Sequence, residues 1–320
     1  MLTEARRGEE VAVGASIYCT VMDLGARLRT LRPDRSRYVV GAYRSSRRLA
    51  ERVGIQFLVR SFYTPIPQLR GLSDAPWERQ SPLAGIDLGL ERQAAFLAGE
   101  LAPHLAEFRP TVAEYDPANA SYPPVDADLL FAMVRRLRPR RIVELGSGHS
   151  TLVAALAARA NAADGEAPEY RVFDPWPDVA SAAIPGVTAL EPLTARDVPL
   201  ERFRALGEGD VLLVDTTHTV KVGGDVNRIV LEILPELAPG VVVHFHDIFL
   251  PHEYPRSWIE DLGLIWQEQY LLQAFLAMNP GYEVVLSNHA LSRARPELMA
   301  RHVRGWSEGA APAAFWIRRS

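Results

Sequence analysis

The stretch RIVELGSGHSTLVAALA, Arg141 to Ala157, decides the fold. A short apolar strand runs into an acid, then into a turn with two glycines, then into an alanine-rich helix. Gly146 and Gly148 let the backbone come close to a ligand. The turn is not a phosphate loop, because GxxxxGK[ST] is absent. As a dinucleotide fingerprint it lacks the third glycine, where Thr151 stands. Glu144, two positions before the first glycine, would repel a pyrophosphate but can face a positively charged aminoalkyl sulfonium.

Outward from this turn, short apolar runs alternate with helical patterns. Strands are expected at Arg141–Leu145, Tyr170–Asp174, Val187–Pro192, Asp210–Asp215 and Val241–Asp247, then at Tyr282–Ser287 and Ala314–Arg319. Helices are expected at Ser150–Arg159, Asp225–Leu237 and Glu268–Met278, the last stopped by Asn279-Pro280. Such alternation means an α/β, doubly wound, mostly parallel seven-stranded Rossmann-like sheet, with the last pair adding an antiparallel edge strand. Upstream, PVDADLLFAMVRRL opens with proline and acid and ends in arginines, as a helix dipole favours. Another helix is expected from Leu90 to Leu101, stopped near Pro103. Val21–Leu31 and Ser45–Val53 read as short amphipathic helices. The proline- and aromatic-rich segment Phe62–Ala84 reads as an ordered covering arm. The division expected is an N-terminal cap or extension over residues 1–120 and a ligand-binding domain over 121–320.

The bulk numbers set limits. The 320 residues are 48% hydrophobic and 23% charged, with a formal net charge of −4. That balance carries no basic footprint for nucleic acid. Lys221 is the only lysine, as GC-rich coding gives, and Cys19 is the only cysteine, so no intrachain disulfide or zinc–thiolate cluster can form. No apolar run reaches the length of a membrane span, and the N-terminus lacks a long apolar core of a signal peptide. The expectation is a bacterial, cytoplasmic protein with no membrane or nucleic-acid partner.

ELGSGHST, together with GDVLLVDTTHTVKVGGDV, PGVVVHFHDIFLPHEYP and WQEQYLLQAFL, resembles the class I S-adenosylmethionine-dependent methyltransferases, over about Tyr122 to Arg319. The resemblance implies that Glu144, Gly146, Ser147 and Gly148 meet the methionine part of S-adenosylmethionine. It also implies that Asp174, ending strand two, binds the ribose hydroxyls, and that Asp197 is the candidate for the adenine amine. Trp176 packs either on the adenine or in the core. Asp215 completes the cofactor set.

Strand four ends in DTTH and strand five in HFHD. Asp215, His218, His246 and Asp247 therefore belong at the carboxyl ends of adjacent central strands, with His244 and His246 on one face. A hydroxyl acceptor needs a base, or a metal that lowers its pKa. Two mechanisms fit. His218 or His246 acts as general base beside Asp215, or a divalent metal sits on Asp215, His246 and Asp247. The pattern resembles catechol-type methyltransferases, whose base lies three positions after the first acid, the offset of His218. His246 departs from that pattern, where an acid is usual. The departure counts against Mg²⁺ and leaves room for a softer ion or none; the metal-free base is the preferred reading.

The segment Phe249–Tyr270 reads as a lid whose Phe249, Tyr254, Trp258 and Trp266 line an acceptor pocket or pack a subunit interface, so a homo-oligomer is compatible. Glu268 and Gln269 are placed to point back at the site. Tyr122 and Asp126 read as lid contacts to the cofactor, or Asp126 as a helix cap. The function expected is transfer of a methyl group from S-adenosylmethionine to a small-molecule hydroxyl. The rivals are a nicotinamide (NAD)-dependent oxidoreductase and a cofactor-binding protein without turnover.

Overall fold

Apolar runs with period-two alternation become strands because each then buries one row of side chains on either face of the sheet. The computed structural model describes residues 42–43, 45–55, 65–67, 69, 71–119, 121–165, 167–177 and 184–320. The helix expected at Val21–Leu31 and the lone Cys19 lie outside them. Met1–Leu72 and Ser73–Ser320 are two separate compact units. In the first, residues 42–43 and 45–51 are helical. The second carries the sheet and everything described below, including residues 73–120 of the expected extension.

Seven strands form one sheet in the order β3-β2-β1-β4-β5-β7-β6. They are β1 (Arg141–Leu145), β2 (Glu169–Phe173), β3 (Ala189–Glu191), β4 (Val211–Val214), β5 (Val242–Phe245), β6 (Tyr282–Ser287) and β7 (Phe315–Arg319). The first five pair in parallel. β7 inserts between β5 and β6, antiparallel to both. The chain leaves β1 toward β2 and β3 on one side and returns to β4 and β5 on the other. The switch point, where such sheets bind ligands, therefore lies at the carboxyl ends of β1 and β4.

The alternation sorts the core into two layers. Ile142, Val211, Leu213 and Val242 face the helices Pro124–Leu137 and His149–Ala163. Val143, Leu145, Leu212, Val214, Val243 and Phe245 face the helical run 225–236 and the helix Glu268–Leu276. Arg135, near the end of the Pro124–Leu137 helix, ties the first layer together. Its guanidinium donates to Glu107 (2.7 Å), Asn161 (2.6 Å) and Asp164 (2.7 Å) on neighbouring helices.

One helix boundary differs from expectation. The helix starting at Leu90 does not stop at Pro103 but runs on to Glu107. A π-helical turn over Leu97–Leu101 widens the backbone just before the proline, and Pro103 falls in the first turn of the following segment, where its missing N–H costs little. The two helices Asn288–Ala294 and Pro296–His302, between β6 and β7, were not expected.

Candidate functional site

The β1 turn is built by backbone contact. Gly146 has φ +90, and its N–H donates to the Phe173 carbonyl at 2.9 Å. A Cβ there would lie 1.8 Å from the Asp215 carbonyl oxygen, so no other residue fits. Gly148 is extended and has open space where a Cβ would project. Its N–H donates to Thr151 Oγ1 at 3.0 Å, which makes the substituted third position of the glycine motif a helix cap. Ser147 donates through its N–H (2.7 Å) and hydroxyl (2.6 Å) to Asp174 Oδ2, while the Trp176 N–H donates to Oδ1 at 2.7 Å. The β1 and β2 exits are thus locked together around Asp174. Trp176 is 82% exposed, which removes the core reading for it. Asp197 is exposed and accepts the Thr194 hydroxyl in its own turn.

Glu144 sits lower than expected. It is fully buried on the Ile142 face, under the turn, and accepts the hydroxyls of Ser150 (2.9 Å) and Tyr170. Burial pushes its carboxyl up to about 7, against the opposing effect of those hydroxyl donors.

At the ends of β4 and β5 the chain turns sharply. His218 (φ +54) and Asp247 (φ +58) are both non-glycine residues in the left-handed region, a conformation that clusters at functional sites. These turns bring five side chains together. His218 Nδ1 lies 2.8 Å from Glu268 Oε2, and its Nε2 lies 3.2 Å from Asp215 Oδ1 and 3.6 Å from Asp247 Oδ2. His246 Nδ1 lies 3.5 Å from Asp247 Oδ1 and 3.7 Å from Asp215 Oδ2. Trp266 packs on the His218 ring at 4.3 Å, and Tyr122 on the His246 ring at 4.6 Å.

Electrostatics follow from this packing. Burial alone would strip the proton from His218, but Asp215 and Glu268 outweigh it and hold the imidazole at about 10. Burial likewise opposes the charge on His246, and Asp247, Asp215 and Asp126 reverse that, raising it well above the ordinary value. Burial would raise Asp215, yet His246 and His218 draw it down to about 2. His244, buried and near His246, is pushed down to about 3 and stays neutral, its Nε2 3.2 Å from the Tyr122 hydroxyl.

The structure brings together Asp215, His218, His246 and Asp247, all read from sequence. Glu268 does point back, as the His218 partner. Gln269 instead braces the loop after β5, accepting the Phe249 N–H at 3.0 Å. Asp126 is neither a lid contact nor a helix cap; Pro123 holds the cap position. It is fully buried, accepts from Asn288 (2.7 Å), Ala313 N–H (2.9 Å) and Ala314 N–H (3.1 Å), and stands 3.5 Å behind His246 Nε2. Tyr122 is likewise buried. Phe249 and Tyr254 are also buried, in a satellite cluster with Trp258 and Trp266, so these aromatics hold the segment's own fold instead of lining an open pocket. Lys221 is exposed.

Asp215, His246 and Asp247 each offer a donor atom, all within 4.8 Å of one another. The Nδ1-to-carboxylate separations are too long for good hydrogen bonds and suit three ligands around an ion. Asp126 lies behind the far imidazole nitrogen at 3.5 Å, likewise beyond a good hydrogen bond, so it acts on His246 by its charge. The residues present fit a divalent ion, and a nitrogen among two oxygens suits Mn²⁺, Fe²⁺ or Zn²⁺ better than Mg²⁺.

Residues 143–248 match the family model of a methyltransferase domain. No curated protein matches the sequence significantly. Among solved structures the chain is similar to the apo form of CmcI-N160, at 16% identity over 68% of this chain and 83% of that one, TM-score 0.38. It is similar to a putative methyltransferase from Thermobifida fusca YX, at 17% identity over 81% and 99%, TM-score 0.39. A third is CalS11, a TDP-rhamnose 3'-O-methyltransferase of calicheamicin biosynthesis, at 14% identity over 72% and 92%, TM-score 0.37. No helix among the described residues is long and apolar enough to cross a membrane. The methyltransferase-domain match thus runs from β1 to the exit of β5, across the glycine turn at the switch point of the seven-stranded sheet.

Proposed function

We propose that the protein moves the methyl group of S-adenosylmethionine to a hydroxyl oxygen of a small molecule. The observation that carries this reading is the convergence of Asp215, His218, His246, Asp247 and Glu268 at the carboxyl ends of β4 and β5, beside the β1 turn. Gly146 and Gly148 leave room for the methionine end of the cofactor, and Asp174 stands where a ribose diol would meet it. Trp176, being exposed, is free to cover the adenine.

His218 is the base in this reading. Glu268 fixes Nδ1 and leaves Nε2 directed at Asp215 and Asp247. At rest the imidazole is a cation between carboxylates. It gives up its proton once positive charge compensates Asp215 and Asp247, and Nε2 then receives the acceptor's hydroxyl proton. Asp215, His246 and Asp247 would hold a divalent ion, with the Asp126 carboxylate 3.5 Å behind the imidazole of His246. Such an ion, when bound, supplies a field that lowers the pKa of the acceptor hydroxyl. The test is label transfer from methyl-tritiated S-adenosylmethionine to a panel of hydroxylated small molecules, with and without chelator. Transfer that collapses in His218→Gln supports the reading. Transfer unchanged in that variant removes the base assignment.

A further inference from the structure

A second polar site lies beyond the β5 exit. A groove of about 500 Å³ runs between the arm Ser73–Pro82, the loop Leu250–Glu253 and the helix Glu268–Leu276. The arm is fixed there: Trp77 Nε1 donates to the Tyr254 carbonyl at 2.8 Å, and the Ser81 N–H to the Pro251 carbonyl at 2.7 Å. Its walls mix flat apolar surfaces, Pro82 and Pro251, with Arg79, Ser81, His252 and Glu253. The groove shares two of its three elements with the centre described above, since its loop follows Asp247 directly and its helix carries Glu268 beside Gln269.

The tautomer of His252 is fixed from behind. His289, buried in the helix Asn288–Ala294, has Nδ1 3.3 Å from the Pro312 carbonyl, an atom that only accepts. Nδ1 therefore carries the proton, and Nε2 is an acceptor. That nitrogen lies 3.1 Å from His252 Nδ1, which must then be the donor. The relay leaves His252 Nε2 as a bare acceptor with no protein partner among the described residues. Burial, with His252 and Arg293 nearby, pushes His289 down to about 4, and burial and Arg293 lower His252 too, so both rings are neutral near pH 7. Glu253 Oε1 already accepts from Tyr254 N–H (2.8 Å), Gln269 (3.3 Å) and Tyr270. Gln273 Nε2 donates to Ser81 Oγ at 2.7 Å, which leaves the Ser81 proton and the Gln273 carbonyl oxygen to a ligand. Arg79 has no partner among the described residues.

We propose that this groove anchors the methyl acceptor, that the acceptor is a polyhydroxylated molecule bearing an acidic group, and that His252 Nε2 accepts one of its hydroxyls while Arg79 pairs with the acid. This deepens the methyltransferase reading and rests on it. Acceptor atoms at His252, Glu253 and Gln273 match hydroxyl donors, the proline faces match the C–H face of a ring, and the single free guanidinium matches one anion.

The test is saturation-transfer NMR on the full chain with glucuronate and glucose as probes, alongside a titration with S-adenosylhomocysteine. Expected is transfer to both sugars with glucuronate preferred, the preference vanishing in Arg79→Gln and both weakening about fivefold in His252→Phe. ¹⁵N-histidine spectra of the native chain give a second reading: His252 protonated at Nδ1, and a mixture of tautomers in His289→Leu. S-adenosylhomocysteine binding without transfer to either sugar overturns the groove alone, as does His252 protonated at Nε2. Sugar binding without S-adenosylhomocysteine binding keeps the polyol site and sinks its role as acceptor anchor.

Discussion

Replacing Glu144 by glutamine should change how stability depends on pH. The carboxyl ordinarily titrates at 4.5 and is held at about 7 in the fold by burial. At about 1.4 kcal/mol per pH unit, that gap corresponds to about 3 kcal/mol. The sign follows from proton counting. Between pH 4.5 and 7 the folded chain keeps a proton that the unfolded chain has released, so stability falls as pH rises through this window. Below 4.5 the contribution is fully present; above 7 it is lost. In Glu144→Gln the amide oxygen still accepts from Ser150 or Tyr170, and the other hydroxyl can rotate to accept from the amide N–H. The variant should therefore gain on the native protein by about 3 kcal/mol between pH 4.5 and 8. Urea midpoints of both proteins across that range measure it, and their difference cancels the titrating groups that Glu144 does not influence. A difference that does not move with pH refutes the buried, proton-retaining carboxyl.

Other consequences follow from single contacts. Gly146→Ala should not hold the native turn, because its Cβ would meet the Asp215 carbonyl; loss of S-adenosylhomocysteine binding together with a lowered melting temperature checks it. Arg135→Leu strips Asn161 and two carboxylates of their shared donor and should cost about 2 kcal/mol by urea unfolding, with cofactor binding kept. Asp247→Asn should weaken Mn²⁺ binding by about tenfold or more, read by electron paramagnetic resonance of free Mn²⁺ in the absence of substrates. Glu268→Gln should lower kcat while leaving the KM for S-adenosylmethionine near its native value, since Glu268 touches only His218 in the cluster; steady-state kinetics on a working acceptor separate the two.

The sheet was legible because its strands are dense apolar runs: Arg141–Leu145 and Tyr282–Ser287 form with the bounds the pattern gives. The site was legible in part, since parallel strands bring their carboxyl ends to one rim, and Asp215, His218, His246 and Asp247 all lie within four residues past the ends of β4 and β5. The rest depended on distance in the chain. Asp126 is held behind His246 by the N–H groups of Ala313 and Ala314, about 190 residues on. The His252–His289 relay and the burial of Glu144 by Tyr170 likewise arise from packing that no local spacing encodes. The helix through Pro103 escaped because a π-turn upstream absorbs the proline, and apolar periodicity does not reveal where such a turn falls.

The most direct test of the central claim is calorimetric titration of the purified chain with S-adenosylhomocysteine, with and without divalent metal, beside NAD. The account predicts micromolar binding of S-adenosylhomocysteine and none of NAD. Uptake of NAD with no binding of S-adenosylhomocysteine would contradict it, and would assign the Gly146–Gly148 turn to a dinucleotide.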